Sequence, residues 1–336
     1  ELTNEAGGEG NVGKIFLKRT DLHNDASHKP VNAFQSVSLA KYLGYKKCIT
    51  ETGASMNARA VAAACARLSM ECEVHIGAVD AKKVSLNNDI TELYGAKIVV
   101  VHDSTATLLP AMASALRAWQ NDPSAMYVVG SAAGPHPYPL MVRTFASVIG
   151  RIAKKQFIEK VGKVPDTIWS VCGGGSNMLA LSYAFLDEKT EIFAIESAGK
   201  GIETGQHAAT ITSNSPTAIL LGSRASAIMN EDGQISESTT EASGLDFSGV
   251  GPEVTYLSKT GRIKFRATKD IDAQKTFQMM TQKVGILPAI EPCFMIHAAL
   301  KEIKKRKNPN QNHLLHLCGS GESNVTRQLQ FKKDNE

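Results

Sequence analysis

Three consecutive glycines, Gly173, Gly174 and Gly175, followed by Ser176 and Asn177, interrupt two apolar runs in IWSVCGGGSNMLA, residues 168–180. Residues of these types can hold an anion. Glycine lets main-chain N–H groups approach a ligand closely, and a helix starting at the turn adds partial positive charge, so the turn suits a phosphate. It would also serve as a tight strand-to-helix turn with no ligand, although such turns ordinarily use one or two glycines. A second chemical candidate is Lys29, in DASHKPVNAFQSVSLAKYLG, residues 25–44. It stands just before Pro30, a residue favoured in the first turn of a helix. There the amine faces free N–H groups and the positive end of the helix, which disfavours the ammonium and makes a better Schiff-base nucleophile. On these residues alone the plainer reading is a surface lysine in a helix-start loop.

The owner of a phosphate at the glycine turn is not a nucleotide bound by a standard motif. GEGNVG, Gly8 to Gly13, has the G-x-G-x-x-G spacing but precedes the first credible strand instead of following one, and reads as a flexible linker or turn. No G-x-x-x-x-G-K-[ST] pattern occurs, which argues against ATP and GTP. A cofactor with a single phosphate that does its chemistry elsewhere stays open.

The elements that must position these residues alternate. Strands are expected at 14–17, 46–50, 72–76, 97–101, 126–130, 168–172, 192–195 and 313–317. Helices are expected at 31–43, 58–70, 108–119, 140–155, 178–185 and 289–305, with Ser176 or Asn177 capping the helix after the glycine turn. The pattern is α/β, with parallel sheets flanked by helices and ligands at the C-terminal ends of strands. Residues 233–254, GQISESTTEASGLDFSGVGPEV, are long for a plain connection and read as a functional loop. No internal repeat or low-complexity tract appears.

Composition sets the class. The chain has 336 residues, 43% hydrophobic and 21% charged, enough for two domains sharing a cleft and the balance of a soluble enzyme. Net charge is only +4, and the densest basic run, KEIKKRKN at 301–308, extends a helix end with few aromatics interleaved, which argues against nucleic acid. The six cysteines show no CxxC pair and no metal-ligand spacing, as expected of free thiols in a reducing compartment. With no apolar run of about 18 residues and no signal peptide, no membrane partner is expected and the cytoplasm is the expected location, although the abrupt start could hide a removed targeting segment.

The motifs SHKPVNA, ITETGA, GSAAGPHPYP, CGGGSN, ETGQHAA, SGLDFSGVGPE and ILPAIEP follow one another in this order. Together they resemble the β subunit of tryptophan synthase, over residues 1–324; GPHPYP and CGGGSN are its most specific signatures. The resemblance implies two open twisted, mainly parallel sheets flanked by helices, with pyridoxal 5′-phosphate (PLP) between the two domains. It places an N-terminal-type domain with a mobile substrate-binding subdomain at 20–145, and a C-terminal-type domain with the phosphate cup at 1–19 and 146–336. The implied reaction is condensation of L-serine with indole to L-tryptophan, in a homodimer usually coupled to an α subunit.

Carried over by the motifs, Lys29 matches the lysine that bears the cofactor and moves the α-proton, and His28 a cofactor-phosphate contact. Asn32 is a further cofactor-binding match, and Gly173, Gly174, Gly175, Ser176 and Asn177 match the phosphate cup. Glu51 matches the carboxylate that acts as acid for the departing hydroxyl and as base for indole. Asp246 matches an acid near the substrate hydroxyl. Glu291, Cys318 and Gly319 fall around the cofactor ring. Thr52, Gly53, Ala54, Ser55, Met56 and Asn57 match the segment that grips the substrate carboxylate. The carbonyls of Gly173, Phe247 and Gly249 match a monovalent-cation position.

The chain also departs from the family. Ser55, Met56, Asn57 and Ala58 replace the family's glycine, glutamine, histidine and glycine, and Arg59 follows, either near the anion or pointing to solvent on the next helix. Cys318 stands for the serine beside the pyridine nitrogen, Leu220 and Leu221 for the tunnel aromatics, and Val79 for the lysine of the α-subunit salt bridge. The family also carries a longer N-terminal segment ahead of the position where this chain begins, and that segment helps form the α-subunit contact, so coupling to an α subunit is in doubt. Two alternatives accompany the serine–indole reading. One is another β-substitution or β-elimination, on an amino acid with an extra anionic group; the other is a non-catalytic regulatory paralogue.

Overall fold

A computed structural model describes residues 1–83, 85–103 and 105–334. Its strands are β1 (Lys14–Arg19), β2 (Lys47–Thr52), β3 (Glu71–Gly77), β4 (Lys97–Val101), β5 (Ala125–Tyr127), β6 (Thr167–Val171), β7 (Glu191–Ser197), β8 (Thr217–Leu220), β9 (Ser223–Ser226), β10 (Ile263–Thr268) and β11 (Asn312–Leu317). The chain divides into a smaller unit, residues 23–130, and a larger one formed by residues 1–22 and 131–336. Residues 131–145, expected with the smaller domain, group with the larger one. The reason is packing: the helix Tyr138–Ala146 lies against the helices Val148–Val161 and Ser176–Ser182.

The smaller unit is a four-stranded parallel sheet in the order β4-β3-β2-β5. Its central strand β2 is buried from Cys48 to Thr52, as a parallel strand covered on both faces must be. The helices Lys29–Tyr42 and Met56–Leu68 pack on each other, and the alanines of the second allow close approach to the sheet. Ala33, Val37, Val61, Cys65, Cys48 and Val74 form the centre of this core. The helix Leu108–Gln120 packs on β2 and β3.

The larger unit carries a five-stranded parallel sheet in the order β1-β11-β6-β7-β10 and a separate antiparallel hairpin, β8-β9. β6 is buried at every position, and the helix Ile290–Arg306 crosses one face of the sheet with Cys293, Phe294, Met295 and Ile296 fully buried. Trp169 on β6 stacks on Phe193 of β7 with ring centroids 3.9 Å apart.

Each of the eight expected strands exists, shifted by a few residues, and β8, β9 and β10 are additional. The helix expected over 140–155 is two helices, Tyr138–Ala146 and Val148–Val161, separated at Ser147. Ser176 and Asn177 do not cap the next helix: the N-cap is Gly175, at φ 109°, without a side-chain cap, and both residues lie in the first turn. GEGNVG forms a turn that is open around Gly8 and Gly10 and packed at its end, where a Cβ on Gly13 would lie 1.5 Å from the Gln311 carbonyl oxygen. Among the described residues no helix is long and apolar enough to cross a membrane.

Candidate active site

Within the smaller unit, the C-terminal ends of β2 and β5 collect polar groups. Lys29 opens its helix, with His28 at the N-cap and Pro30 in the first turn, and its Nζ donates a hydrogen bond to the Gly130 carbonyl. One turn on, Asn32 Nδ2 donates to the Val129 carbonyl at 3.0 Å. The amine is therefore held against the segment that follows β5, with its ammonium form met by a neutral carbonyl.

Glu51, near the end of β2, is 4% exposed, and its Oε2 has no hydrogen-bond partner among the described residues. Burial raises its pKa from 4.5 to about 7, against the opposing effects of the Tyr127 hydroxyl, backbone N–H groups and the Lys29 charge. A carboxyl poised at neutral pH can give a proton and take it back.

The segment after Glu51 leads into the helix Met56–Leu68. Thr52 is buried, Gly53 and Ala54 are half-buried, and Ser55 takes a left-handed conformation at φ 57°. Asn57 turns back toward β2: its Nδ2 donates to Thr50 Oγ1 at 2.8 Å and to the Glu51 carbonyl at 3.0 Å. A Cβ on Gly130 would sit 2.2 Å from the Asn57 amide, so Gly130 is required for this approach. Arg59 does not point to solvent. Its side chain is only 11% exposed and lies beside Asp25, 3.6 Å away, with Nη1 donating to Asn87 Oδ1 at 2.9 Å.

Within the larger unit the glycine turn follows β6. A Cβ on Gly173 would meet the Gly244 carbonyl oxygen at 2.9 Å, one on Gly174 would meet Ser131 Oγ at 2.1 Å, and Gly175 has positive φ with Val254 beside it. The Gly251 N–H donates to the Gly174 carbonyl at 3.0 Å, tying the turn to the start of the helix Pro252–Lys259. Ser176 is half-buried and Asn177 buried in the first turn after it. Side chains are excluded from this turn, which keeps its main chain open to a phosphate-sized anion.

Around it, Glu291 Oε1 accepts the Gly244 N–H at 2.9 Å, and burial raises the Glu291 pKa. Burial also pushes the Cys318 thiol well up, opposed by a hydrogen bond with Asn177, so that Cys318 is a neutral group. The Gly319 carbonyl accepts the Ala289 N–H at 2.7 Å and fixes the approach to the helix that carries Glu291. Asp246 Oδ1 accepts from Ser238 Oγ at 2.7 Å. The Gly173 carbonyl faces the Cys172 thiol at 3.5 Å, the Phe247 N–H bonds the Leu245 carbonyl, and Gly249 bridges Ala227. Among the described residues no cluster of His, Cys, Asp and Glu could hold a metal ion.

A family model described as pyridoxal-phosphate dependent enzyme matches residues 2–319. The tryptophan synthase beta chain of Afipia carboxidovorans is 40% identical over 326 residues, 96% of this chain and 79% of that protein. The chain belongs to the pyridoxal-phosphate dependent enzymes, in the tryptophan synthase β-chain family. The tryptophan synthase beta chain of Shouchella clausii is also 40% identical, over 95% of this chain and 80% of that one. Two solved structures share the fold. A threonine deaminase from T.th. has a TM-score of 0.69 at 17% identity, covering 93% of this chain and 89% of its own. A PLP-dependent aspartate racemase has a TM-score of 0.70 at 14% identity, with coverages of 95% and 87%.

The residues fit the family's cofactor: an amine at a helix start in one unit, and a glycine turn closed to side chains in the other. Sequence reasoning did not find Tyr127 beside Glu51, Ser131 beside Gly174, or Asn87 beside Arg59. The adjacent Asn87 and Asn88 were the available signal, since asparagine is a weak helix former and two in a first turn call for a use.

Proposed function

We propose that the chain catalyses PLP-dependent β-replacement, converting L-serine and indole to L-tryptophan and water. The observation that carries this reading is the pairing of Lys29 with Glu51, an amine held on the Gly130 carbonyl and a buried carboxyl that titrates at about 7. Lys29 would bear the cofactor, with His28, Asn32 and the cup Gly173, Gly174, Gly175, Ser176 and Asn177 holding it, and Glu291, Cys318 and Gly319 around its ring. PLP, when bound, supplies an electron sink for charge developing at the amino acid's Cα. The segment Thr52–Gly53–Ala54–Ser55–Met56–Asn57 orients the substrate carboxylate. Lys29 Nζ takes the Cα proton and returns it to Cα after the bond to indole has formed. Glu51 gives its proton to the departing serine Oγ, so that water leaves instead of hydroxide, and its carboxylate then takes the proton lost by indole. Asp246 holds the substrate hydroxyl, and the carbonyls of Gly173, Phe247 and Gly249 offer a place for a monovalent cation.

A substrate with a second anion loses its support, because the Arg59 charge is met by Asp25. A homodimer accompanies the reading, and Val79 in place of the salt-bridge lysine weighs against coupling to an α subunit. Six free, buried cysteines support a reducing, cytoplasmic setting.

The test is a visible absorption spectrum of the protein with PLP, followed by borohydride reduction and peptide mapping, then product analysis with L-serine and indole. The expected result is cofactor fixed on Lys29 and tryptophan formed, both lost in Lys29→Ala. A protein that stays colourless with PLP, or one that makes no tryptophan, refutes the reading.

A further inference from the structure

The substrate-carboxylate segment of this chain has lost the family's glycine at position 55 and gained an arginine at 59, and the structure shows what accompanies that exchange. Ser55 is left-handed at φ 57°, a conformation that costs a residue with a side chain about 1 kcal/mol or more. It is held there from outside. Ser55 Oγ hydrogen-bonds Asn88 Oδ1 at 2.6 Å, and Asn87 Nδ2 donates to the Ala54 carbonyl at 3.3 Å and approaches Met56 Sδ at 3.6 Å. Both asparagines belong to the first turn of the helix Ser85–Leu93. Asn87, 1% exposed, is itself fixed by Arg59 Nη1, 2.9 Å from its Oδ1. Asp25, held in turn by the Tyr94 hydroxyl at 2.9 Å, lies 3.6 Å from Arg59 Nη2.

Burying this guanidinium costs desolvation, and among the described residues Arg59 Nε has no hydrogen-bond partner. An apolar residue would pack there without that cost. What the charge gains is direction: it orients the Asn87 amide so that oxygen faces Arg59 and nitrogen faces Ala54. We propose that Arg59 and Asn87 are positioning residues that set the backbone of residues 53–57 for the α-carboxylate of the amino-acid substrate, replacing the conformational role of the lost glycine. This rests on the assignment of that segment to the substrate carboxylate made above. Neither residue touches the substrate; each acts through the Ala54 carbonyl.

Three variants of the PLP-loaded enzyme separate positioning from folding. Asn87→Asp keeps an acceptor for Arg59, now charged, and puts a carboxylate oxygen in place of the donor to the Ala54 carbonyl and Met56 Sδ; Arg59→Met keeps the stem and removes the charge; Arg59→Lys restores charge. The readouts are kcat and KM for L-serine at saturating indole, and amide hydrogen exchange of residues 53–57 in PLP-free and PLP-loaded protein. The expected result is a KM for L-serine raised roughly tenfold in Asn87→Asp and Arg59→Met, with kcat within about threefold of wild type. Exchange in 53–57 should rise while that of the helix Lys29–Tyr42 stays unchanged, and Arg59→Lys should recover part of both effects. The proposal is overturned if the variants lose thermal stability while KM and loop exchange match wild type, or if kcat alone falls. If the wild type does not turn over serine, the functional reading fails, and loop exchange alone decides whether Arg59 and Asn87 position the segment.

Discussion

Replacing Glu51 with glutamine keeps the shape of a fully buried side chain and removes its ionisation, so the free energy of holding that charge in the fold can be measured directly. The carboxyl ionises near 4.5 when exposed and at about 7 in the folded chain, mainly through burial. At 1.36 kcal/mol for each tenfold change in proton affinity, this difference is worth about 3 kcal/mol. The sign follows from which state ionises first. Below pH 4.5 both folded and unfolded chains carry the proton, and the contribution to stability is fully present. Between 4.5 and 7 the unfolded chain ionises while the folded one does not, and the contribution drains away until it is lost above pH 7. Denaturant unfolding of wild type and Glu51→Gln, each without PLP, from pH 4.5 to 8.5, should therefore show the variant gaining on wild type by up to about 3 kcal/mol as pH rises. With PLP, L-serine and indole, the same variant should lose roughly 10²–10⁴-fold in kcat, since the leaving hydroxyl then departs without a proton. A stability difference that does not change with pH would show that Glu51 ionises normally and would remove the basis for its role as an acid at neutral pH.

The glycine turn and the hairpin give two further tests. Gly175→Ala places a Cβ at φ 109° and 2.3 Å from Val254 Cγ2, so PLP titration should show affinity weakened roughly tenfold or more; Gly162→Ala, at φ 83° with open space, should cost about 1 kcal/mol of stability and leave PLP affinity unchanged. Equal PLP affinity in Gly175→Ala and wild type would count against a phosphate at the turn. Leu221 is left-handed at φ 50°, followed by Gly222 at φ 76°, in the turn joining β8 and β9. Asparagine suits this position, so Leu221→Asn should raise unfolding stability by about 0.5–1 kcal/mol, and a destabilised variant would show that Leu221 packing outweighs its backbone strain.

The parallel strands were legible because burial on both faces leaves short apolar runs that end in glycine or polar turns, as in β6 before Gly173. β10 was not: Ile263 and Thr268 are buried while Lys264 and Arg266 are exposed, and the alternation of an edge strand is easily read as a charged loop. The break at Ser147 was hidden because the apolar spacing runs through it without proline or glycine. Cup and lysine were legible as residue types. The hold on Ser55 was not, because Asn87, Asn88 and Arg59 meet only once the helices Met56–Leu68 and Ser85–Leu93 pack together, and no local spacing encodes that meeting.

The departures from the family fall on groups proposed to shape and hold, and spare those proposed to move protons. Lys29 and Glu51 are retained, and the buried environment that gives Glu51 its neutral-range titration is built at the β2 and β5 ends of one sheet. Cys318 replaces a serine, but burial keeps its thiol protonated, so the position still presents a neutral group and does not force a ring nitrogen beside it to carry a proton. Electron withdrawal from Cα then stays modest, which favours loss and replacement of a β-substituent over transamination. Asn57 spends its amide donors on Thr50 and the Glu51 carbonyl, bracing the residue proposed to protonate the leaving hydroxyl. A chain that had abandoned catalysis would gain stability by neutralising Glu51, because at pH 8 its buried charge is a net cost to the fold; its retention supports the proposed proton transfer.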